Sequence, residues 1–178
     1  MTEFNHDVVT NLLARLRFLL TRTVDFSQND SATTAAKVRL LTAAAMYFNV
    51  LAITEFGGRP GPLRQSGLVE QVVAAAFQSF GGEDPRPDPF DKAAMLLRGI
   101  IQGHPFTDGN KRTGFLVATF YLHRMGFVLR PDLSLTEVAS FCRQVSAGEI
   151  RDVAIMAVTF QAWTGPRREP PRPVPSSP

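Results

Sequence analysis

Apolar residues recur at intervals of three and four positions along almost the whole sequence, and this spacing predicts an all-α fold. The first such segment has an apolar stripe flanked by arginines, as in an amphipathic helix. Its apolar residues are Val9, Leu12, Leu13, Leu16, Leu19 and Leu20. Further helices are predicted from about Thr34 to Phe56, after Ser66, after Asp88 or Asp91, from about Asn110 to His123, after Ser134, and from Ile150.

Glycine, proline and polar residues mark the ends of these helices. Three glycines and two prolines between Gly57 and Leu63 exclude a helix there. Ser134 and Glu137 have the spacing of a capping box, and Met125 to Arg130 is expected to be extended. We divide the chain into an N-terminal amphipathic helix and linker (1–33), one helical domain (34–165) and a proline-rich tail expected to be disordered (166–178).

The composition indicates one globular domain and gives little support to a nucleic-acid partner. The chain has 178 residues, of which 44% are hydrophobic and 20% charged, and this suits a single packed core. Of the net charge of +3, the tail contributes +2, because Arg167, Arg168 and Arg172 face only Glu169. The nearly neutral remainder argues against a broad nucleic-acid surface, although the arginines of the first helix leave a DNA-binding regulator as a weaker alternative.

The sequence also limits where the protein is expected to act. Cys142 is the single cysteine, which excludes an internal disulfide, and its apolar surroundings predict a buried, inert thiol. The first residues lack the basic start and apolar run of a signal peptide. No apolar run approaches the length needed to cross a bilayer, so no membrane contact and a cytoplasmic location are predicted.

The segment from His104 to Thr113 interrupts the helical pattern and concentrates groups that suit phosphate chemistry. It ends one predicted helix and begins another, so free backbone amides near Gly109 are available to an anion. Asp108 supplies an oxygen ligand suited to Mg²⁺ together with phosphate oxygens. His104 is suited to accept a proton from a hydroxyl, and Arg112 is suited to bind phosphate in a planar fork.

Taken singly, each of these residues has an ordinary structural explanation, since histidine before proline and Asp-Gly-Asn are common in turns. The whole string His-Pro-Phe-Thr-Asp-Gly-Asn-Lys-Arg is far more specific, and it resembles the signature of the Fic/Doc superfamily, with the lysine typical of the death-on-curing (Doc) branch. The segments 57–70 and 91–97 are also similar to that branch. The resemblance covers roughly residues 45–163 and implies a Fic/Doc-type helical bundle with a small β-hairpin flap.

The resemblance implies a role for each matching residue of the motif. His104 would be the general base that deprotonates a target hydroxyl, and Asp108 would hold Mg²⁺. Phe106 would anchor the loop in the core. The residues implied to bind the ATP phosphates are Gly109, Asn110, Lys111 and Arg112. The residues implied to be catalytic are His104, Asn110, Lys111 and Arg112. The flap would dock the target chain by strand-like pairing, and its residues would be Arg59, Pro60, Gly61, Pro62, Leu63 and Arg64.

Two positions in this motif bear on which phosphate is attacked. AMP-transferring relatives have glycine at the position of Lys111 and arginine at the position of Phe115, and both help to bind the ATP diphosphate. The pattern here resembles the Doc branch, which implies transfer of the γ-phosphate to a Ser or Thr hydroxyl. AMP transfer to Ser, Thr or Tyr and a non-catalytic nucleotide-binding module stay open as alternatives.

Regulation by a separate partner is the last implication of the resemblance. Self-inhibiting relatives carry a Ser/Thr-x-x-x-Glu-Gly/Asn helix, but here Ser66 to Glu70 is followed by Gln71, and Ser79 to Glu83 by Asp84. Neither segment fits the pattern. We therefore expect an antitoxin-like partner in trans, and a toxin whose target belongs to the translation machinery. Gln65 stands where relatives commonly have aspartate, and since it lies outside the phosphate-binding residues it bears on the choice of target and not on the chemistry.

Overall fold

The computed structural model describes residues 24–28, 30–61, 63–79, 81 and 83–167. Within these ranges the chain forms six helices and two short strands, in the following order. They are α1 (Ser31–Phe56), α2 (Leu68–Ala75), α3 (Pro89–Gly103), α4 (Asn110–Arg124), β1 (Phe127–Leu129), α5 (Leu135–Ala147), α6 (Val153–Trp163) and β2 (Thr164–Pro166). The predicted all-α class is therefore confirmed. The predicted N-terminal helix and most of the tail lie outside the described residues.

Helix α4 lies at the centre of the bundle, and this position fixes the site at its N-terminus. Its residues from Thr113 to Leu122 are all buried, and it packs against α1 and α3. Gly114 permits the close approach of α3, because a Cβ there would lie 3.1 Å from both the Leu97 carbonyl oxygen and Ile101 Cγ1. A side chain at this position would therefore separate the two helices that carry the motif.

Four aromatic side chains join α4, α5 and α6 on one side of the core. Phe141 of α5 lies 5.0 Å from the Trp163 ring and 6.5 Å from the Phe160 ring, in edge-on geometry. Phe115 of α4 contacts Phe160 and Trp163 of α6. Such edge-on pairs are favoured by the ring quadrupoles, so this cluster fixes α5 against the bundle.

The capping box predicted for α5 is wrong. Ser134 is at the N-cap position but makes no side-chain capping hydrogen bond. Glu137 instead accepts a hydrogen bond of 2.7 Å from the indole Nε1 of Trp163. Glu137 thus bonds to Trp163 of α6 and not to the backbone at the start of its own helix, because a buried indole N–H needs an acceptor.

The stretch that was expected to be a polar connection contributes to the core. Phe26 is buried and packs on Tyr121 of α4, and the Lys37 ammonium and the Arg124 guanidinium lie over its ring. Helix α1 begins at Ser31, three residues before the boundary predicted at residue 34, because Asp30 caps it by accepting from the Thr33 amide at 2.9 Å. The local cap sets this boundary, whereas the contact of Phe26 with α4 is long-range.

Two other predicted helix starts differ from the structure. Helix α2 has Gly67, not Ser66, at its N-cap, with a left-handed φ of 78° and no side-chain cap. Ile150 precedes the last helix, which begins at Val153 behind the capping carboxylate of Asp152. The start after Asp88 is confirmed, since its carboxylate accepts from the Phe90 amide at 2.7 Å.

The small antiparallel sheet joins β1 to β2, with Val128 opposite Gly165. The extended segment expected after Gly126 is thereby confirmed. The flap segment forms a loop across the described residues 57–61 and 63–67, and its single bridge pairs Leu63 with Phe106 of the motif. The Arg64 amide also donates to the Pro105 carbonyl oxygen at 3.0 Å, so the flap runs antiparallel to the motif loop.

Helix α1 is long and apolar enough, by length and composition, to cross a bilayer, which the sequence interpretation did not foresee. In the structure its face containing Leu41, Ala45 and Phe48 is completely buried in the bundle. Packing against α4 explains the apolar residues of this buried face, whereas Met46, Tyr47 and Val50 of the same helix are exposed.

Candidate active site

The His104 to Arg112 segment borders a cavity of about 480 Å³, which lies between the motif, the flap and α5. Polar and charged side chains of the motif line it: His104, Asp108, Lys111 and Arg112, with Arg64 from the flap. Apolar residues of α4 and α5 also line it: Phe115, Leu135, Val138, Ala139 and Cys142. The structure thus brings the motif side chains named from the sequence to one cavity that has both charged and apolar lining.

His104 occupies the C-cap of α3 in a left-handed conformation, with φ of 46° and ψ of 50°. Among the described residues it is the single non-glycine residue with a positive φ. Such a conformation costs on the order of 1 kcal/mol or more for a residue with a Cβ, and it is often found at functional sites. The bend directs the exposed His104 side chain to the cavity instead of continuing the helix.

Asn110 holds the loop together through both ends of its side-chain amide. Its Oδ1 accepts from the Phe106 amide at 3.0 Å, and its Nδ2 donates to the Phe106 carbonyl oxygen at 2.9 Å. Phe106 is 3% exposed, as expected for the core anchor of the loop. The geometry therefore gives Asn110 a structural role in addition to the catalytic and phosphate-binding roles that the resemblance implies.

Gly109 is the N-cap of α4, with φ of 79°, and it allows the chain to pass close to α1. A Cβ at Gly109 would lie 2.9 Å from Asn49 Nδ2. Asn49 of α1 donates to the Asp108 carbonyl oxygen at 2.8 Å and to Thr113 Oγ1 at 3.1 Å. Sequence reasoning missed Asn49; a polar residue between Ala45, Phe48 and Ala52 on an apolar helix was the available signal.

Asp108 links the motif to the flap. Its Oδ2 accepts from the Arg59 amide at 3.1 Å, and its Oδ1 accepts from the Gly109 amide at 2.6 Å. These two backbone hydrogen bonds, Arg59 first, lower the pKa of Asp108 below its usual 3.8, and the charges of Arg112 and Lys111 add to the effect. Asp108 is therefore a carboxylate at neutral pH.

An ionised carboxylate on a phosphate cavity fits a magnesium ion that takes its other ligands from phosphate oxygens and water. No group of three or more His, Cys, Asp or Glu side chains in the described ranges is arranged to hold a metal. A site made entirely of protein side chains does not fit these residues, whereas one carboxylate shared with a nucleotide does.

Arg112 is bound to the end of α1. Its Nη1 donates to the carbonyl oxygens of Ala52 and Gly57, both at 2.9 Å. A guanidinium has further N–H donors on its other nitrogens, and Arg112 also borders the cavity. The same side chain therefore caps a helix and remains within reach of an anion in the site.

Three comparisons with known proteins bear on this geometry. A family model described as "Fic/DOC family" matches residues 39–122. "Toxin Doc" of Mycolicibacterium smegmatis is 34% identical over 91 residues, which are 51% of this chain and 69% of that protein. "Protein kinase doc" of Escherichia phage P1 is 28% identical over 102 residues, or 56% of this chain and 79% of that protein. The chain belongs to the Fic/Doc family, in its Doc branch.

A third similar protein is a Fido domain-containing protein of Dictyostelium discoideum, 34% identical over 62 residues. The segment matched by the Fic/Doc model includes Asn49, the flap and the motif, but it ends at residue 122. In this Fic/Doc protein, α5 and its side of the cavity lie beyond that match.

Arg143, like Asn49, is a residue of the site that sequence reasoning did not identify. It extends from α5 to the cavity, next to Cys142 and one turn beyond Ala139. The helical period from Leu135 through Ala139 to Arg143 could have placed these residues on one face, but not opposite the motif. Cys142 is buried as predicted, and burial raises the pKa of its thiol to about 12, so it is unsuited to act as a nucleophile.

Proposed function

We propose that this Fic/Doc protein transfers the γ-phosphate of ATP to a Ser or Thr hydroxyl of a target protein. The observation that carries the proposal is the cavity shared by His104, Asp108, Lys111 and Arg112. It combines a base, a metal carboxylate and positive charge, which phosphoryl transfer requires. Lys111 and the apolar Phe115 favour transfer of the terminal phosphate over transfer of AMP.

In the proposed reaction, His104 accepts the proton of the target hydroxyl, and the hydroxyl oxygen forms a bond to the γ-phosphorus. The bond from that phosphorus to the β–γ bridging oxygen breaks, and ADP leaves with the bonding pair. Lys111, Arg112 and the amides at the start of α4 stabilise the charge that develops on the phosphate oxygens. Asp108 would hold Mg²⁺, which when bound neutralises phosphate charge.

The flap supports the docking of an extended target segment. Leu63 and Arg64 pair with the motif loop through one edge, at the Phe106 bridge and the Pro105 carbonyl. The flap residues are mostly exposed, as a strand-adding surface must be. A hydroxyl on a chain lying along this flap would reach the cavity next to His104.

We test the chemistry with ATP labelled at the γ or the α position, incubated with Mg²⁺, a bacterial lysate and the purified protein. The expected result is γ-label on a defined protein band, no α-label, and neither label with His104→Ala. Arg39→Met, on the exposed surface of α1, is the control and should transfer label as the wild type does. α-Label on the target would establish AMP transfer instead, and nucleotide binding without label would favour a non-catalytic module.

We further propose that the chain is the toxin of a toxin–antitoxin pair that acts on the translation machinery and is neutralised by a partner in trans. Its similarity to proteins named Toxin Doc and Protein kinase doc supports this. Induced expression should arrest growth and lower the rate of protein synthesis, whereas His104→Ala should do neither. Normal growth at full expression of the folded wild-type protein would contradict the toxin assignment.

A further inference from the structure

We propose that the flap base, formed by Gly57, Gly58 and Arg59, positions the Asp108 carboxylate for a divalent cation, and that cation binding in turn orders the flap for its target chain. Gly58 and the Arg59 amide are thus positioning residues, since they act through Asp108. This inference rests on the proposed function, because it takes Asp108 as the ligand of Mg²⁺. It adds that metal binding and target docking are linked.

The Asp108 carboxylate is held between two backbone amides that belong to different segments. Its Oδ1 accepts from the Gly109 amide of the motif at 2.6 Å, and its Oδ2 accepts from the Arg59 amide of the flap at 3.1 Å. Each carboxylate oxygen has a second lone pair that stays available to a cation. Because such outer hydrogen bonds hold a metal ligand in its binding orientation, loss of one commonly weakens metal affinity by about 10- to 100-fold.

Gly58 permits this contact, because a side chain there would collide with the carboxylate. Its φ is 147°, and an added Cβ would lie 2.9 Å from Asp108 Oδ2 and 2.6 Å from Ile53 Cδ1. A Cβ at Gly109 would also approach Ile53 Cδ1, to 3.3 Å. Ile53 of α1 therefore lies against both the flap base and the motif. A methyl group at Gly58 must separate the Arg59 amide from the carboxylate or turn the carboxylate out of its present orientation.

The flap base also contacts the phosphate-binding part of the motif. Arg112 Nη1 donates to the Gly57 carbonyl oxygen at 2.9 Å, and an added Cβ at Gly58 would lie 3.5 Å from Arg112 Nη2. The other end of the flap is held by the bridge from Leu63 to Phe106. The flap is therefore attached to the motif at both ends, and its base is attached through the side chains that the proposed reaction assigns to Mg²⁺ and phosphate.

These contacts make cation binding and flap order reciprocal. If contact with the flap strengthens cation binding at Asp108 by a given factor, the bound cation stabilises that contact by the same factor. A target segment that adds to the flap as a strand needs an ordered edge to pair with. We therefore expect the target chain to bind after the nucleotide and its cation.

The first test measures the binding of Mn²⁺, a paramagnetic cation that prefers the same oxygen ligands as Mg²⁺, by electron paramagnetic resonance with and without ATP. Gly58→Ala should weaken the Asp108-dependent binding, defined by comparison with Asp108→Asn, by at least about tenfold. Gly57→Ala is the matched control, because Gly57 also has a positive φ, of 73°, but an added Cβ there would meet nothing within 4 Å. It should bind Mn²⁺ within about twofold of the wild type.

The second test needs no substitution in the flap, so it does not depend on the folding of a flap variant. Hydrogen exchange followed by NMR should show that Mg²⁺ with ATP slows exchange of the Arg59 amide by at least about tenfold in the wild type. The same addition should leave this exchange rate unchanged in Asp108→Asn. Circular dichroism verifies that each variant is folded.

Three results would each overturn the inference: equal Mn²⁺ affinities in folded Gly58→Ala and Gly57→Ala, no Asp108-dependent Mn²⁺ binding in the wild type, or an Arg59 amide that exchanges no more slowly with Mg²⁺ and ATP. If cation binding and flap protection are linked but no γ-label is transferred, the proposed function fails while the link stands. If γ-label is transferred and the two glycine variants bind Mn²⁺ equally, the link fails while the proposed function stands.

Discussion

At the scale of single residues, Gly109 is subject to two constraints, a positive φ and a close contact with α1, which a comparison with Gly126 separates. Its φ of 79° disfavours any side chain, and an added Cβ would also approach Asn49 Nδ2 to 2.9 Å. Gly126 shares the first constraint, with φ of 93°, but an added Cβ there would meet nothing within 4 Å. The pair therefore distinguishes backbone strain from the close contact between α1 and the motif.

We expect Gly126→Ala to lower the free energy of unfolding by about 1 kcal/mol through strain alone. Gly109→Ala should lower it by about 1 kcal/mol more, because Asn49 must give up its hydrogen bonds to the motif. Urea denaturation at neutral pH measures both values. Equal losses of unfolding free energy in the two variants would show that the Asn49 side chain can move away from the added Cβ without loss of stability.

Asn49 is expected to act on the motif from α1 by positioning it. Asn49→Ala removes the bonds to the Asp108 carbonyl and the Thr113 hydroxyl, so it should lower stability by about 1–2 kcal/mol and weaken ATP binding. Thr54→Ala is the control, because the Thr54 hydroxyl bonds only to the Val50 carbonyl of its own helix. Unchanged ATP affinity in Asn49→Ala would contradict a positioning role.

At the scale of elements, the loop before α3 is fastened by an ion pair. Lys92 Nζ lies 2.6 Å from Asp84 Oδ2, and the Lys92 side chain is only 5% exposed while that of Asp84 is 24% exposed. The ammonium also lies over the Phe77 ring and donates to the Ala76 carbonyl oxygen. Ala76 and Asp84 are thus tied to the first turn of α3, at the end opposite the motif.

We expect Asp84→Ala to lower the free energy of unfolding by about 2–3 kcal/mol, since it leaves a buried ammonium without its carboxylate. Lys92→Met should cost less, because the carboxylate of Asp84 is partly in water. The double variant should recover part of the loss, which a double-mutant cycle measures by denaturation. Strictly additive losses would mean that the two charges do not interact.

The same pair predicts how stability depends on pH. Burial raises the pKa of Asp84, but the hydrogen bonds from Lys92 and the Arg86 amide outweigh it and hold the pKa below the usual 3.8. The stabilisation is therefore present above 3.8 and is lost as the pH falls through the lower folded value. Between about pH 5 and pH 2, Asp84→Asn should lose less stability than the wild type in acid titrations followed by circular dichroism.

At the scale of the whole molecule, the aromatic cluster couples the core to the cavity. Phe141 anchors α5 from the side opposite Arg143, so Phe141→Ala should lower stability by about 3–5 kcal/mol and also weaken ATP binding. Phe90→Ala, at the aromatic pair with Phe127 remote from the cavity, should lower stability without changing ATP affinity. Calorimetry below the unfolding range separates the two effects.

The helical class and the motif were predictable because both depend on short-range patterns. A period near 3.6 reveals α2, α3 and α5 without any knowledge of their neighbours, and the string from His104 to Arg112 is contiguous. Helix starts with a local cap, such as Asp88, were also predictable. The start of α5 after Ser134 was likewise predicted correctly, but its capping box was not, because Glu137 bonds to Trp163 across the fold. The N-cap of α2 was also missed, since Gly67 and not Ser66 occupies it.

The rest of the site depends on long-range contacts that no spacing encodes. Asn49 reaches Asp108 across 59 positions of the chain, and Arg143 faces the motif only because α5 folds back over α4. The burial of Lys37 and Lys92 likewise requires knowledge of the rings and carbonyl groups that surround them. Sequence patterns identify the reactive residues of the motif. The fold is needed to see which other side chains hold those residues in position.

The two bonds from Arg112 to the end of α1 have a consequence for how loss-of-function variants are interpreted. An alanine at Arg112 would remove a cation from the cavity and, at the same time, leave the Ala52 and Gly57 carbonyls without their donor. Under the proposed toxin function, a genetic screen for cells that survive expression of this protein should therefore yield two classes of variant. Variants at the exposed His104 should be inactive but as abundant as the wild type. Variants at Arg112 should be less abundant, because cellular proteases clear part of the destabilised protein.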